Sequence, residues 1–157
     1  MNTAEEMLKE KDAQIISVRP DQTVKEAVQV MAEHRIGVVL VEKDGDLIGI
    51  LSERDFLRNS ADEQFNPLTA KVGDYMSAPL KFATHDTELP MLQEMFLGLY
   101  VRHLPIKKGH RFIGMLSIGD VMRADLLDKD RHIKELKKMA SWQYYDNWGW
   151  DRKKRGK

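Results

Sequence analysis

The chain has 157 residues, 42% hydrophobic and 32% charged: enough for one compact domain or two small halves, and too apolar for a disordered chain. Its 25 basic and 25 acidic side chains cancel, which argues against a dedicated nucleic-acid binder and leaves any polyanion role to a local patch. With no cysteine, disulfides, thiolate nucleophiles and thiolate zinc sites are excluded.

Residues 1–11 are charged and helical in character (AEEMLKEK) and lack the apolar core of a signal peptide. The longest apolar run, near residues 36–41, is too short to cross a bilayer, so no membrane span and a cytoplasmic location are expected. A short strand is predicted at 15–18. Asp21-Gln22-Thr23 then opens a helix, Asp or Thr capping the periodic apolar set Val24, Ala27, Val28 and Met31. Residues 36–41 (IGVVLV) read as a buried strand, 43–46 as a turn on Asp44-Gly45, 47–51 as the returning strand and 52–59 as a second helix.

The same string is then written again. Placing Gly49–Arg58 (GILSERDFLR) over Gly114–Arg123 (GMLSIGDVMR) makes Gly, Ser, Asp and Arg coincide while apolar positions stay apolar. The offset is 65. Upstream it drops to 64, setting Thr23 on Thr87 and Met31 on Met95, which predicts one extra residue around 96–100. The second copy thus reads as a strand at 80–83, a helix at 87–97, a strand at 101–106, a turn at 107–110, a strand at 111–116 and a helix at 117–126. The fold class expected is α/β (α+β): two β-α-β-β-α repeats, at 8–60 and 72–127, joined by a polar linker at 61–71. Neither half buries its faces alone, so one shared core is expected.

Two copies of Gly-apolar-apolar-Ser-x-x-Asp carry the chemistry. Ser-x-x-Asp before an apolar run is a capping box, and each copy alone reads as a helix start. The same geometry also suits a ligand. A helix N-terminus attracts anions, Asp55 and Asp120 can accept two hydrogen bonds from a ribose diol, and Ser52 and Ser117 add a hydroxyl. The upstream glycine allows close backbone approach.

The segments IGVVLV and GILSERD, with RHLPI at 102–106 and GMLSIGD at 114–120, resemble tandem CBS domains, the modules named after cystathionine β-synthase. The resemblance covers about residues 8–127. It implies two repeats about a pseudo-twofold axis with two clefts between their sheets, binding AMP, ADP, ATP, S-adenosylmethionine or a dinucleotide, and pairing into a flat homodimer. It assigns Asp55 and Asp120 to ribose hydroxyls, with Ser52 and Ser117 as the hydroxyl residues. It places adenine in a slot lined by Ile16, Ser17, Gly37 and Val38 in the first cleft, and by Met76, Ser77, Pro79, Arg102, His103 and Leu104 in the second.

Arg54 in the first motif is replaced by Gly119 in the second, while Arg102-His103 replaces Gly37-Val38. Each cleft is therefore expected to carry its cation in a different place, with unequal affinities. Arg54 is the favoured phosphate contact, its planar fork suiting phosphate oxygens; the alternative is a surface pair with Glu53 or Glu42. His103 either touches phosphate or bonds to backbone. The remaining histidines are scattered without metal-ligand spacing, and no serine or threonine has a base at motif spacing, so no metal and no enzyme are expected. Met76, Met91, Met95, Met115, Met122 and Met139 read as core filler.

Residues 128–157 form a C-terminal helix and an aromatic/basic tail. All three tryptophans (Trp142, Trp148, Trp150) fall here with Tyr144 and Tyr145, before a run of cations. The tail could dock on the module or its dimer mate, anchor an effector protein, or bind single-stranded nucleic acid or an anionic membrane surface. Two functions follow: a non-catalytic adenine-nucleotide sensor with no required cofactor, or a structural homodimer or adaptor with vestigial clefts that works through its tail.

Overall fold

The computed structural model describes residues 3–11 and 14–147, with side chains to residue 140. Two equivalent units follow one another. In the first, β1 (Ser17–Val18), α2 (Val24–His34), β2 (Val38–Lys43), β3 (Asp46–Ser52) and α3 (Glu53–Asn59) follow an N-terminal helix, α1 (Ala4–Lys11). A one-turn helix, α4 (Val72–Tyr75), leads into the second: β4 (Ala83–Thr84), α5 (Leu89–Leu99), β5 (His103–Lys108), β6 (Arg111–Ser117) and α6 (Ile118–Asn147). Each unit has a three-stranded sheet, ordered β1-β2-β3 and β4-β5-β6, its first pair parallel and its second antiparallel.

Local chemistry explains the elements. Thr23 caps α2 in a full capping box with Glu26, and Arg35 ends the helix in the left-handed region. The β2–β3 hairpin turns on Asp44 and Gly45, both at positive φ (54° and 86°), as a two-residue primed turn requires. β2 is buried from Val38 to Val41, as expected of a central strand covered on both faces.

The structure corrects the sequence alignment. Val18 pairs with Val41 and Ala83 with Ile106, the register break follows at the same place, and Arg35 and Tyr100 both adopt the left-handed cap. The offset is therefore 65 throughout and no extra residue lies at 96–100. Buried Met31 corresponds to buried Phe96, not to Met95. The Thr-to-Thr match misled because α5 starts at Leu89, with Glu88 at the cap and no side-chain cap bond.

The single shared core is corrected as well. There are two cores, and each is closed by the segment that precedes the other repeat. Ala4, Met7 and Leu8 of α1 pack with Leu92, Phe96, Leu104, Ile106, Leu116 and Val121 of the second repeat. Val72 of α4 packs with Val24, Val39, Val41 and Leu51 of the first. The physical reason is reach: a sheet covered by helices on one face needs another element on its remaining apolar edge, and the exchanged segments supply it. The methionine expectation fails in part. Met91, Met122 and Met139 are more than half exposed, on outer faces of α5 and α6 that no other described residue covers. The helix expected at 117–126 and the charged helix after it are one continuous α6, running to Asn147. The side chains of the aromatic tail, and residues 148–157 altogether, lie outside the described residues.

Candidate functional site

Both Ser-x-x-Asp motifs fold as capping boxes. In the first, the Ser52 N–H and hydroxyl donate to Asp55 Oδ2 at 2.9 and 2.8 Å, and the Asp55 N–H donates to Ser52 Oγ at 3.2 Å. Ser117 and Asp120 repeat the pattern at 2.7, 2.7 and 3.2 Å. Capping consumes one carboxylate oxygen in each acid. Among the described residues, Asp55 Oδ1 keeps only the Ser77 hydroxyl, at 3.5 Å.

The motif glycines serve the chain's own packing. A Cβ on Gly49 would stand 3.0 Å from the Ser77 carbonyl oxygen, and one on Gly114 would stand 2.8 Å from Leu8 Cδ2. Ile50 and Ser77 exchange backbone hydrogen bonds across this approach, at 3.1 and 2.8 Å. The segment after α4 is thereby stitched onto β3 beside Asp55.

Around Asp55 lies a cleft of about 240 Å³ formed by both repeats. Ser52, Arg54, Asp55 and Arg58 come from the first repeat, Ser77 from the connection, and Tyr100, Arg102 and His103 from the second. Three arginines, Arg54, Arg58 and Arg102, thus line one cleft with a half-satisfied carboxylate. None of their guanidinium groups makes a hydrogen bond or ion pair among the described residues, so Arg54 pairs with neither Glu53 nor Glu42. This corrects the expectation of one cation per cleft. Arg102, placed by sequence in the second cleft, lines the cleft of the first motif, while its carbonyl oxygen accepts from the Ile118 N–H of its own repeat at 3.0 Å.

The opposite cleft, about 520 Å³, is lined by Lys11, Gln14, Ile16, Ile36, Gly37, Val38, His103, Met115 and Ser117. Gly37 and His103 line both clefts and so mark their common floor. Asp120 is absent from this lining. Its Oδ2 accepts from the Lys11 ammonium at 2.7 Å, and the carboxylate opens instead onto a groove under α1 with Met7, Glu10 and Arg123. Burial pushes the Asp120 carboxyl up, but hydrogen bonds from Lys11 and from the Ser117 N–H and hydroxyl outweigh it and hold it below the usual carboxylate range. Burial, reinforced by the Lys11 charge, lowers His103 against the opposing pull of Asp120 and Glu53.

Other expected positions are also corrected. Leu104 is fully buried in the second core and cannot line a slot. Met76 packs against the first core, its sulfur directed at Gly49. Ser17 donates to Glu42 at 3.2 Å on a shallow outer groove, and Pro79 is exposed outside both linings. Ile16 and Val38 sit with Ser117, and Ser77 sits with Asp55, the reverse of the sequence assignment, whereas Gly37 and His103 line both clefts, the assigned one included. Arg58, Tyr100 and Lys11 were missed. Arg58 lies four residues after Arg54 and so on the same helix face, a signal that was legible; nothing in the local sequence marks Lys11.

The CBS-domain family model matches residues 7–62 and 72–127. The chain is 37% identical over 127 residues to the mitochondrial CBS domain-containing protein CBSX3 of Arabidopsis thaliana, covering 78% of this chain and 60% of that one. It therefore spans less than two thirds of that relative. The solved CBS-domain protein ATU1752 from Agrobacterium tumefaciens superposes with a TM-score of 0.75 at 30% identity, covering 79% of this chain and 99% of that one. CBSX2, solved in complex with AMP, superposes at 0.63 with 24% identity, covering 76% and 91%. Two matched domains, the shared topology and the doubled motif agree: the chain belongs to the CBS-domain family as a tandem pair.

Proposed function

We propose that this chain is a non-catalytic regulatory module that binds an adenosine-type nucleotide in the Asp55 cleft and reports its level to another protein. The carrying observation is that Arg54, Arg58 and Arg102, whose guanidinium groups have no partner among the described residues, line one cleft with a carboxylate whose second oxygen holds only a 3.5 Å contact with Ser77. An acid that accepts from a ribose diol beside cations that accept phosphate oxygens is the complement of a nucleotide, ribose at one end and charge at the other. AMP in the related CBSX2 fold supports the adenine class. Tyr100, 91% exposed at the rim, offers a ring face to the base. In this reading Ser52 and Ser77 fix the acid, and His103 adds a neutral imidazole at the floor. Ligand would draw Arg102 of one repeat toward Arg54 and Arg58 of the other, so that occupancy changes the packing of the two halves.

A homodimer is part of this proposal. Leu57, Leu97, Met122 and Leu126 are helix residues with 59–73% exposure, an apolar surface for a second copy. The adaptor reading draws on α6, which runs past the repeat carrying exposed Ile133, Leu136 and Met139 toward the aromatic tail. Calorimetric titration with AMP, ATP, S-adenosylmethionine and NADH separates the two. The proposal expects binding by the wild type and its loss in Asp55→Ala. Absence of binding at millimolar concentration of each, or unchanged binding in Asp55→Ala, overturns it in favour of the adaptor.

A further inference from the structure

The 65-residue offset makes Lys11 the counterpart of Met76. Both stand at the end of an exchanged helix, α1 or α4, that is laid on a motif strand next to its glycine. Around Asp55 this position brings a thioether and then a hydroxyl, neither of which neutralises the acid. Around Asp120 it brings an ammonium. Lys11 Nζ lies 2.7 Å from Asp120 Oδ2 and 3.4 Å from the Met115 carbonyl oxygen. The placement is built: Ala4, Met7 and Leu8 are buried in the second core, and the start of α1 is held by backbone hydrogen bonds to the Thr87 and His85 carbonyls at 2.9 Å. The contact also divides the space. The larger cleft is lined by Ser117 and Lys11 but not by Asp120, which lines the α1 groove with Lys11, so volume is available there while the acid lies outside it.

We infer that Lys11, pairing with the Asp120 oxygen that also serves the cap and itself lining the larger cleft, keeps that acid neutralised and outside the cleft, and so restricts nucleotide binding to the Asp55 cleft, one ligand per chain. This rests on the nucleotide reading above. Lys11 acts here as a determinant of stoichiometry: a ligand entering the second cleft meets an ammonium in its lining and an acid already neutralised by it, in a pair only 38% and 27% exposed. The two repeats have therefore diverged in use through a residue on neither motif.

Equilibrium dialysis of the full chain with ATP tests this, on the wild type, Lys11→Met, Asp55→Asn and the double variant Lys11→Met/Asp120→Asn. The expected occupancies are one, two, zero and one. Two ATP per wild-type chain overturns the inference and leaves the nucleotide reading standing, and this needs no variant. One ATP on folded Lys11→Met overturns it likewise. No binding by any protein overturns both. No binding by the wild type with one ATP on Lys11→Met supports the role of Lys11 and refutes the Asp55 site. Carbon-13 NMR titration of the Asp120 carboxyl is a readout independent of nucleotide: its pKa rises in Lys11→Met, and an unchanged value refutes the pairing.

Discussion

Gly114→Ala is expected to loosen α1 and weaken the hold of Lys11 on Asp120 together. The new methyl would lie 2.8, 3.0 and 3.4 Å from Leu8 Cδ2, Cδ1 and Cγ, against an optimal carbon separation of about 3.5–4.0 Å. Relief needs a shift of about 1 Å. Leu8 is only 7% exposed, so it has little free volume to turn into, and α1 must move instead. Lys11 is one turn further on, and the same shift takes its 2.7 Å contact beyond the usual limit of about 3.2 Å. Overpacking costs about 1–3 kcal/mol, and replacing glycine returns about 0.4–1 through the unfolded chain. The net loss is about 1 kcal/mol, or roughly 4 °C in Tm for a protein this size. Thermal unfolding by circular dichroism reads the loss, and the Asp120 titration reads the displacement. Gly98→Ala is the matched control: its methyl meets nothing within 4 Å inside α5, so it should gain about 0.5–1 kcal/mol. A Gly114→Ala protein at least as stable as wild type, with Asp120 titrating as before, refutes the reasoning.

Arg102→Ala should weaken nucleotide binding about tenfold at the Asp55 site, the lower end for an exposed charge-assisted contact; calorimetry on this variant and Asp55→Asn must report the same site, and unaltered affinity contradicts the shared cleft. His103 is held below its ordinary value by burial and by Lys11 and Arg102, against Asp120 and Glu53. The unfolded chain therefore binds the extra proton, and stability falls as pH drops from about 6.5 toward the folded value. A bound phosphate raises that folded value, so nucleotide binding should take up protons and tighten on acidification, measured as a dependence of binding heat on buffer ionisation; proton release would refute it. Asp120 is lowered in the fold, so its contribution is present above about pH 4 and is lost as pH falls through the folded value. Lys11→Met should flatten that acid limb of the stability curve, and an identical limb counts against the pair. Leu92→Ala, emptying a site with no exposure, should cost about 2–5 kcal/mol in chemical denaturation, and a loss below 1 would contradict the second core.

Much of the architecture was legible because it is local. A nearly continuous β-branched apolar run marked β2, Asp44-Gly45 marked the hairpin, and Ser52 to Asp55 marked a capped helix, each within a few residues. The repeat exposed the doubled unit without any knowledge of packing. Where local matches conflicted, identity misled: the two threonines at 23 and 87 outweighed the apolar spacing, although the caps at Arg35 and Tyr100 keep one offset. The exposed methionines illustrate the same limit, since a hydrophobic side chain on a helix does not reveal whether a neighbour covers it.

What the amino acids alone determined here is the doubled β-α-β-β-α unit, its turns and caps, and the two acids at equivalent helix starts. Tertiary structure decided which residues share a cleft. It exchanged α1 and α4 between repeats, brought Arg102 into the cleft that Asp55 lines and set Lys11 on Asp120, 109 positions away in the chain. The reason is that spacing within a segment fixes only which side chains share a face. Which faces meet depends on how two incomplete sheets find cover, and that is settled by packing over the whole molecule.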